Sequence, residues 1–103
     1  MQIHNLKIKH EYLLEVAKGN KTFELRKNDR DYQVGDLIRF IDINPPKKPP
    51  KLKRLALFLF IKQPTINFND LYQVTYVLKD VPQYGLDADY CILGIKKLKL
   101  EEV

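Results

Sequence analysis

A chain of 103 residues, 45% apolar and 30% charged, makes one globular domain: it is too short for a second core and too apolar for disorder. Its 18 Lys and Arg against 13 Asp and Glu leave a charge of +5, which favours an anionic partner. No transmembrane helix is possible, because the longest strongly apolar run, residues 55–61, is far too short to span a membrane, and no membrane partner is expected; the amino end has no signal-peptide pattern, and the single cysteine, Cys91, suits a reducing cytoplasm and rules out an internal disulfide.

Residues 3–9 partly alternate between apolar and polar and predict a half-buried first strand. Residues 10–18 predict a helix, with Leu13, Val16 and Ala17 on one face and Glu11, Glu15 and Lys18 on the other; Gly19-Asn20 then ends it. Residues 22–27 alternate with period two, so Phe23 and Leu25 face one way and Thr22, Glu24 and Arg26 the other. Turn residues fill 28–31 and 34–36, and 37–43 predicts another strand. The prolines at 45, 46, 49 and 50 deny residues 44–54 a helix or a central strand, leaving an extended surface loop rich in Pro and Lys. Residues 55–61 have strand length and 64–70 form a connection, with Asn69 or Asp70 as a candidate helix cap. Residues 72–78 alternate again, Val74, Tyr76 and Leu78 lying opposite Gln73, Thr75 and Val77. A loop over 82–89 leads to the last strand, 90–100. Five or six strands with one early helix give a mixed α/β, mainly β domain, most economically a small, mostly antiparallel barrel with the helix packed on it.

The densest polar cluster runs from Gly19 to Asp36. Glu24 and Arg26 share a strand face, Lys21 precedes them in the turn, and Lys27, Asn28 and Arg30 follow. Such a group can bind phosphate through Lys21 and Arg26 while Glu24 accepts from a base or a ribose hydroxyl. The plainer reading is a solvated strand face whose ion pairs are each worth about 0–1 kcal/mol. A second basic cluster, Lys47, Lys48, Lys51, Lys53 and Arg54, either tracks a phosphate backbone without sequence preference or keeps an exposed loop soluble. His4 and His10, six residues apart with no cysteine nearby, match no zinc spacing, so neither a metal nor any other cofactor is expected. Cys91 reads as a buried, inert thiol. Tyr12, Tyr72, Tyr76 and Tyr90 read as core residues with their hydroxyls at its rim; Tyr32 is unassigned, and Tyr84 either packs or stacks on a base.

The run Gly19-Asn20-Lys21-Thr22-Phe23-Glu24-Leu25-Arg26 resembles the G-x-K-x-x-E-x-R signature of the ASCH domains, which have a PUA-like barrel fold. Its flanks, residues 4–8, 26–32 and 34–36 with 76–78, 85–86 and 90–96 near the end, resemble a bacterial and phage branch of small, uncharacterised ASCH-like domains. The resemblance spans nearly the whole chain apart from residues 44–69 and implies a single domain over residues 1–103. It further implies a partner that is RNA or a nucleotide-like small molecule, held in a cleft lined by Lys21, Glu24 and Arg26, with His4 and Lys7 as neighbours if the first strand borders it. One small branch of the superfamily hydrolyses the amide of N4-acetylcytidine with the signature Lys, a Thr three residues later and a distant Glu. Here Glu24 stands at the Thr position, Thr22 points to the same side as Glu24, and no downstream Glu precedes Glu101. Lys21 and Glu24 are therefore the catalytic candidates of an alternative reading, a small amidohydrolase acting on a modified nucleoside in a cleft closed by Tyr84. A lysine acts as a general base only where burial or a nearby cation loosens its proton, and a carboxylate beside it works the other way, so binding is the simpler expectation. A third reading is a protein-interaction module that docks through the Pro- and Lys-rich loop. Oligomeric state is not legible in the sequence.

Overall fold

The computed structural model describes residues 1–46 and 70–98. The chain runs β1 (Ile3–Ile8), α1 (His10–Ala17), β2 (Phe23–Lys27), β3 (Leu37–Asp42), β4 (Leu71–Leu78), a short 3-10 turn (Pro82–Tyr84) and β5 (Tyr90–Lys97). The five strands form one sheet in the order β1-β3-β4-β5-β2. β1 and β3 are parallel and the other neighbours antiparallel. The described residues are mainly β with one helix, as expected, and among them the sheet curls into a half-barrel that does not close. Its edge strands, β1 and β2, are bridged by a side chain: Arg26 Nη1 donates to the Lys7 carbonyl at 2.9 Å. The expected strand over 55–61 and the cluster Lys47, Lys48, Lys51, Lys53 and Arg54 lie outside the described residues. Asp70 caps no helix; it directly precedes β4 and pairs with Lys97 at 2.9 Å.

Helix α1 is held at both ends by bonds that its own sequence only half supplies. No side chain of Lys9 caps it; instead Asn44, just past β3, accepts the His10 N–H at 2.7 Å, and Asp42 Oδ2 lies 2.6 Å from His10 Nδ1. At the other end the Asn20 N–H reaches the Glu15 carbonyl and the Gly19 N–H that of Val16, a Schellman pattern that needs the left-handed φ of +83° found at Gly19. The chain is thereby reversed, and Lys21 emerges at the start of β2.

The core fills the concave side of the sheet. Leu6 and Ile8 of β1, Ile38 and Phe40 of β3, Tyr72 and Val74 of β4, and Cys91, Leu93 and Ile95 of β5 pack beneath Leu13 and Val16 of α1. Tyr32, unassigned from sequence, joins them. The tyrosines expected in the core divide otherwise. Tyr72 is buried, but Tyr12, Tyr76 and Tyr90 are exposed. For Tyr76 the cause is a bulge between Val74 and Tyr76 in the ladder with β5: the extra residue, Thr75, reverses the alternation, sending Tyr76 outward and Val77 toward the core.

A buried clasp ties the start of β1 to the turn before β3. Asp36 accepts from His4 Nε2 at 2.9 Å, from the Gln33 N–H at 3.0 Å and from the Gln2 N–H at 3.1 Å. Burial raises the Asp36 carboxyl, but these donors together outweigh it and hold the group below the usual carboxylate range. Tyr32 packs on the His4 ring, centroids 4.8 Å apart.

Candidate functional site

β2 pairs with β5 so that Glu24 lies opposite Leu93 and Arg26 opposite Cys91, both buried core residues. The polar face of β2 is therefore the concave one. Glu24 is only 4% exposed, whereas Phe23 and Leu25 on the other face are 50% and 55% exposed. The solvated strand face is thus not what forms; a carboxylate is carried into the protein where an aliphatic residue would ordinarily sit.

Two cations satisfy it. Lys21 Nζ donates to Glu24 Oε1 and also to the Phe23 carbonyl at 2.9 Å. Arg26 Nη1 lies 3.4 Å from Glu24 Oε2, on the opposite oxygen. Lys21 and Arg26 are themselves largely shielded, so the three groups form a fixed cluster rather than a fluctuating surface network. The Schellman turn delivers Lys21, and the period-two spacing of β2 places Glu24 and Arg26 on one side.

This cluster sits in a cleft of about 430 Å³ that opens where β1 and β2 face each other. Lys7, Ile8 and Lys9 border it from the end of β1, Tyr12 from α1, Ile43 from beyond β3, and Phe23 and Leu25 from β2. The rings of Tyr12 and Phe23 have their centroids 5.8 Å and 5.2 Å from Lys21 Nζ. Four cations, Lys7, Lys9, Lys21 and Arg26, surround one carboxylate, so the cleft is electropositive with partly apolar and aromatic walls. Lys21 and Arg26 are engaged, whereas the side chains of Lys7 and Lys9 are exposed and no described residue pairs with them.

Of the residues singled out from sequence, the cleft brings together Lys7, Lys21, Glu24 and Arg26. His4 does not line it; its ring is buried in the Asp36 clasp. Lys27 and Arg30 are exposed outside the cleft, and the Asn28 N–H bonds the Asp89 carbonyl. Tyr84, 82% exposed on the 3-10 turn, does not line the cleft either. Tyr12, Lys9 and Ile43 went unrecognised. Tyr12 and Lys9 had a signal: position 12 falls off the Leu13–Val16 face of α1, and Lys9 immediately precedes the helix. Ile43 had none, since only the sheet order brings the end of β3 beside β1.

Residues 3–53 match the model of a family described as a domain of unknown function (DUF3850). That match takes in β1, α1, β2 and β3, and with them every residue bordering the cleft. No curated protein matches the chain. Among the described residues, no helix is long and apolar enough to cross a membrane, and no group of three or more His, Cys, Asp or Glu is placed to hold a metal ion.

Proposed function

We propose that this domain is an ASCH-type, PUA-like module that binds a nucleotide, free or as an unstacked residue of an RNA strand, in the cleft between β1, α1 and β2. The observation that carries the reading is the convergence of all three polar signature residues, Lys21, Glu24 and Arg26, on one cleft whose mouth bears two further cations with no described partner. A nucleotide needs a face to stack on, a hydrogen-bonding group for its base edge and positive charge for its phosphate. Tyr12 and Phe23 supply the first, Glu24 the second, and Lys7 and Lys9 the third. The domain acts by binding: Lys21 is held by Glu24 and the Phe23 carbonyl, which take two of its three protons, so its role is to carry positive charge and to hold the carboxylate in place. The buried lone cysteine accords with a cytoplasmic setting.

The test is a titration of nucleoside monophosphates and of short fluorescent single-stranded and hairpin RNAs at two salt concentrations. Binding should saturate, weaken with salt, and weaken about tenfold or more in Arg26→Ala. Lys9→Ala, on the surface, should reduce affinity and salt dependence without moving the melting temperature. Absence of binding, or binding indifferent to both substitutions, overturns the proposal. Turnover of an acylated nucleoside that is lost in Lys21→Ala assigns the cleft to hydrolysis instead.

A further inference from the structure

The distribution of charge within the cleft bears on which base it accepts. We propose that the cleft selects guanine and that Glu24 is the residue that reads it; this rests on the nucleotide reading above. Lys7 and Lys9 border the cleft with exposed side chains, whereas Glu24 borders it almost fully buried, which sets the cations on the solvent side of the carboxylate. A phosphate held by the mouth cations leaves the ribose in the middle and sends the base, the far end of the nucleotide, to the carboxylate.

An ion-paired carboxylate offers acceptors only. Guanine presents two adjacent donors, N1–H and the N2 amino group, which match the two oxygens of Glu24 side by side. Adenine and cytosine each set one amino donor next to a ring nitrogen lone pair, and uracil flanks its one N–H with two carbonyls. Each of these brings a lone pair against the Glu24 oxygens. The remaining group on the guanine edge, the O6 acceptor, needs a donor beside the carboxylate. The cluster has one on each side, Lys21 at Oε1 and Arg26 at Oε2, so O6 meets a cation whichever way the base lies. A carboxylate has about four lone-pair sites, and Lys21 and Arg26 take one on each oxygen, which leaves Oε1 and Oε2 each able to accept from the base.

The experiment is a competition series on the whole chain with GMP, IMP, AMP, CMP, UMP and dGMP at one ionic strength, repeated with Glu24→Gln. GMP should bind about tenfold or more tightly than AMP, CMP and UMP, as expected for one bidentate charge-assisted pair. IMP, which keeps N1–H and lacks the 2-amino group, should fall between, and dGMP should match GMP. Glu24→Gln should abolish the preference for GMP over the other bases. Equal binding of all bases, preference for another base, or a larger loss from removing the 2′-hydroxyl than from changing the base refutes guanine selection and leaves the nucleotide reading standing. Failure of every nucleotide to bind removes both. The series on the unsubstituted protein decides the matter alone if Glu24→Gln does not fold.

Discussion

Replacing Asp36 by Ala should be among the most damaging single changes in this domain outside its apolar core. The carboxylate is almost fully buried and accepts from His4 Nε2 and from the N–H groups of Gln2 and Gln33. Its removal leaves a buried imidazole donor and two partly buried amides unmatched. Taking about 2 kcal/mol for the first and about 1 kcal/mol for each amide gives a loss of roughly 3–4 kcal/mol, or about 15–25 °C in melting temperature for a domain of this size. Asp36→Asn keeps the volume and one acceptor and should lose about half as much. Because the folded state holds the Asp36 carboxyl below its ordinary value, its contribution is complete above the unfolded pKa of about 4 and is lost as pH falls through the lower folded value. The wild type should therefore lose stability on acidification in that window, and Asp36→Asn should show a shallower loss. Urea titrations of the three proteins between pH 7 and pH 3 measure both effects. An Asp36→Ala protein within about 1 kcal/mol of wild type, or an acid slope unchanged in Asp36→Asn, refutes the reasoning. Since the clasp anchors the start of β1, the damaged variant should also hold Lys7 less firmly at the cleft.

Three further outcomes follow from other contacts. Asn44→Ala removes the acceptor for the His10 N–H and should cost about 1 kcal/mol in a denaturant titration, with Asn44→Asp restoring it. A Cβ at Gly94 would lie 2.8 Å from Thr75 Oγ1, so Gly94→Ala should destabilise by about 1–2 kcal/mol; Thr75→Ala in the same chain should recover most of that, and a purely additive double mutant argues against the contact. Burial pushes the Cys91 thiol up and shields it, so labelling by a thiol reagent should proceed only at the rate of global unfolding; rapid stoichiometric labelling of the native protein contradicts that placement.

Local order was legible in the sequence. The period of residues 10–18 and the Gly19-Asn20 stop locate α1 to within a residue; β1, β2 and β4 lie where alternation places them and β3 where β-branched character does, because these signals depend on neighbours close in the chain. The signature spacing likewise brings Lys21, Glu24 and Arg26 together. What alternation cannot tell is which face of a strand turns inward. On β2 the polar face does, because pairing with β5 puts Glu24 beside Leu93, and that is a fact of sheet order. Tyr76 fails for a related reason: one extra residue in the ladder reverses every side chain beyond it. Among the described residues the barrel does not close because β1 pairs in parallel with β3 and turns its other edge toward β2 across the cleft, where Arg26 is the one described side chain that spans the gap.

A sheet with two open edges is a template for pairing with other chains and so for aggregation. Among the described residues β1 and β2 are the outer strands, and the curl brings their outer edges to the same place, where Lys7, Lys9, Lys21 and Arg26 crowd the approach with like charge. An incoming strand would have to expel those cations from its path before it could hydrogen-bond to either edge. The cations proposed to hold a ligand therefore also stand guard at these edges, and neutralising Lys7 and Lys9 together should lower solubility even where the melting temperature is unchanged.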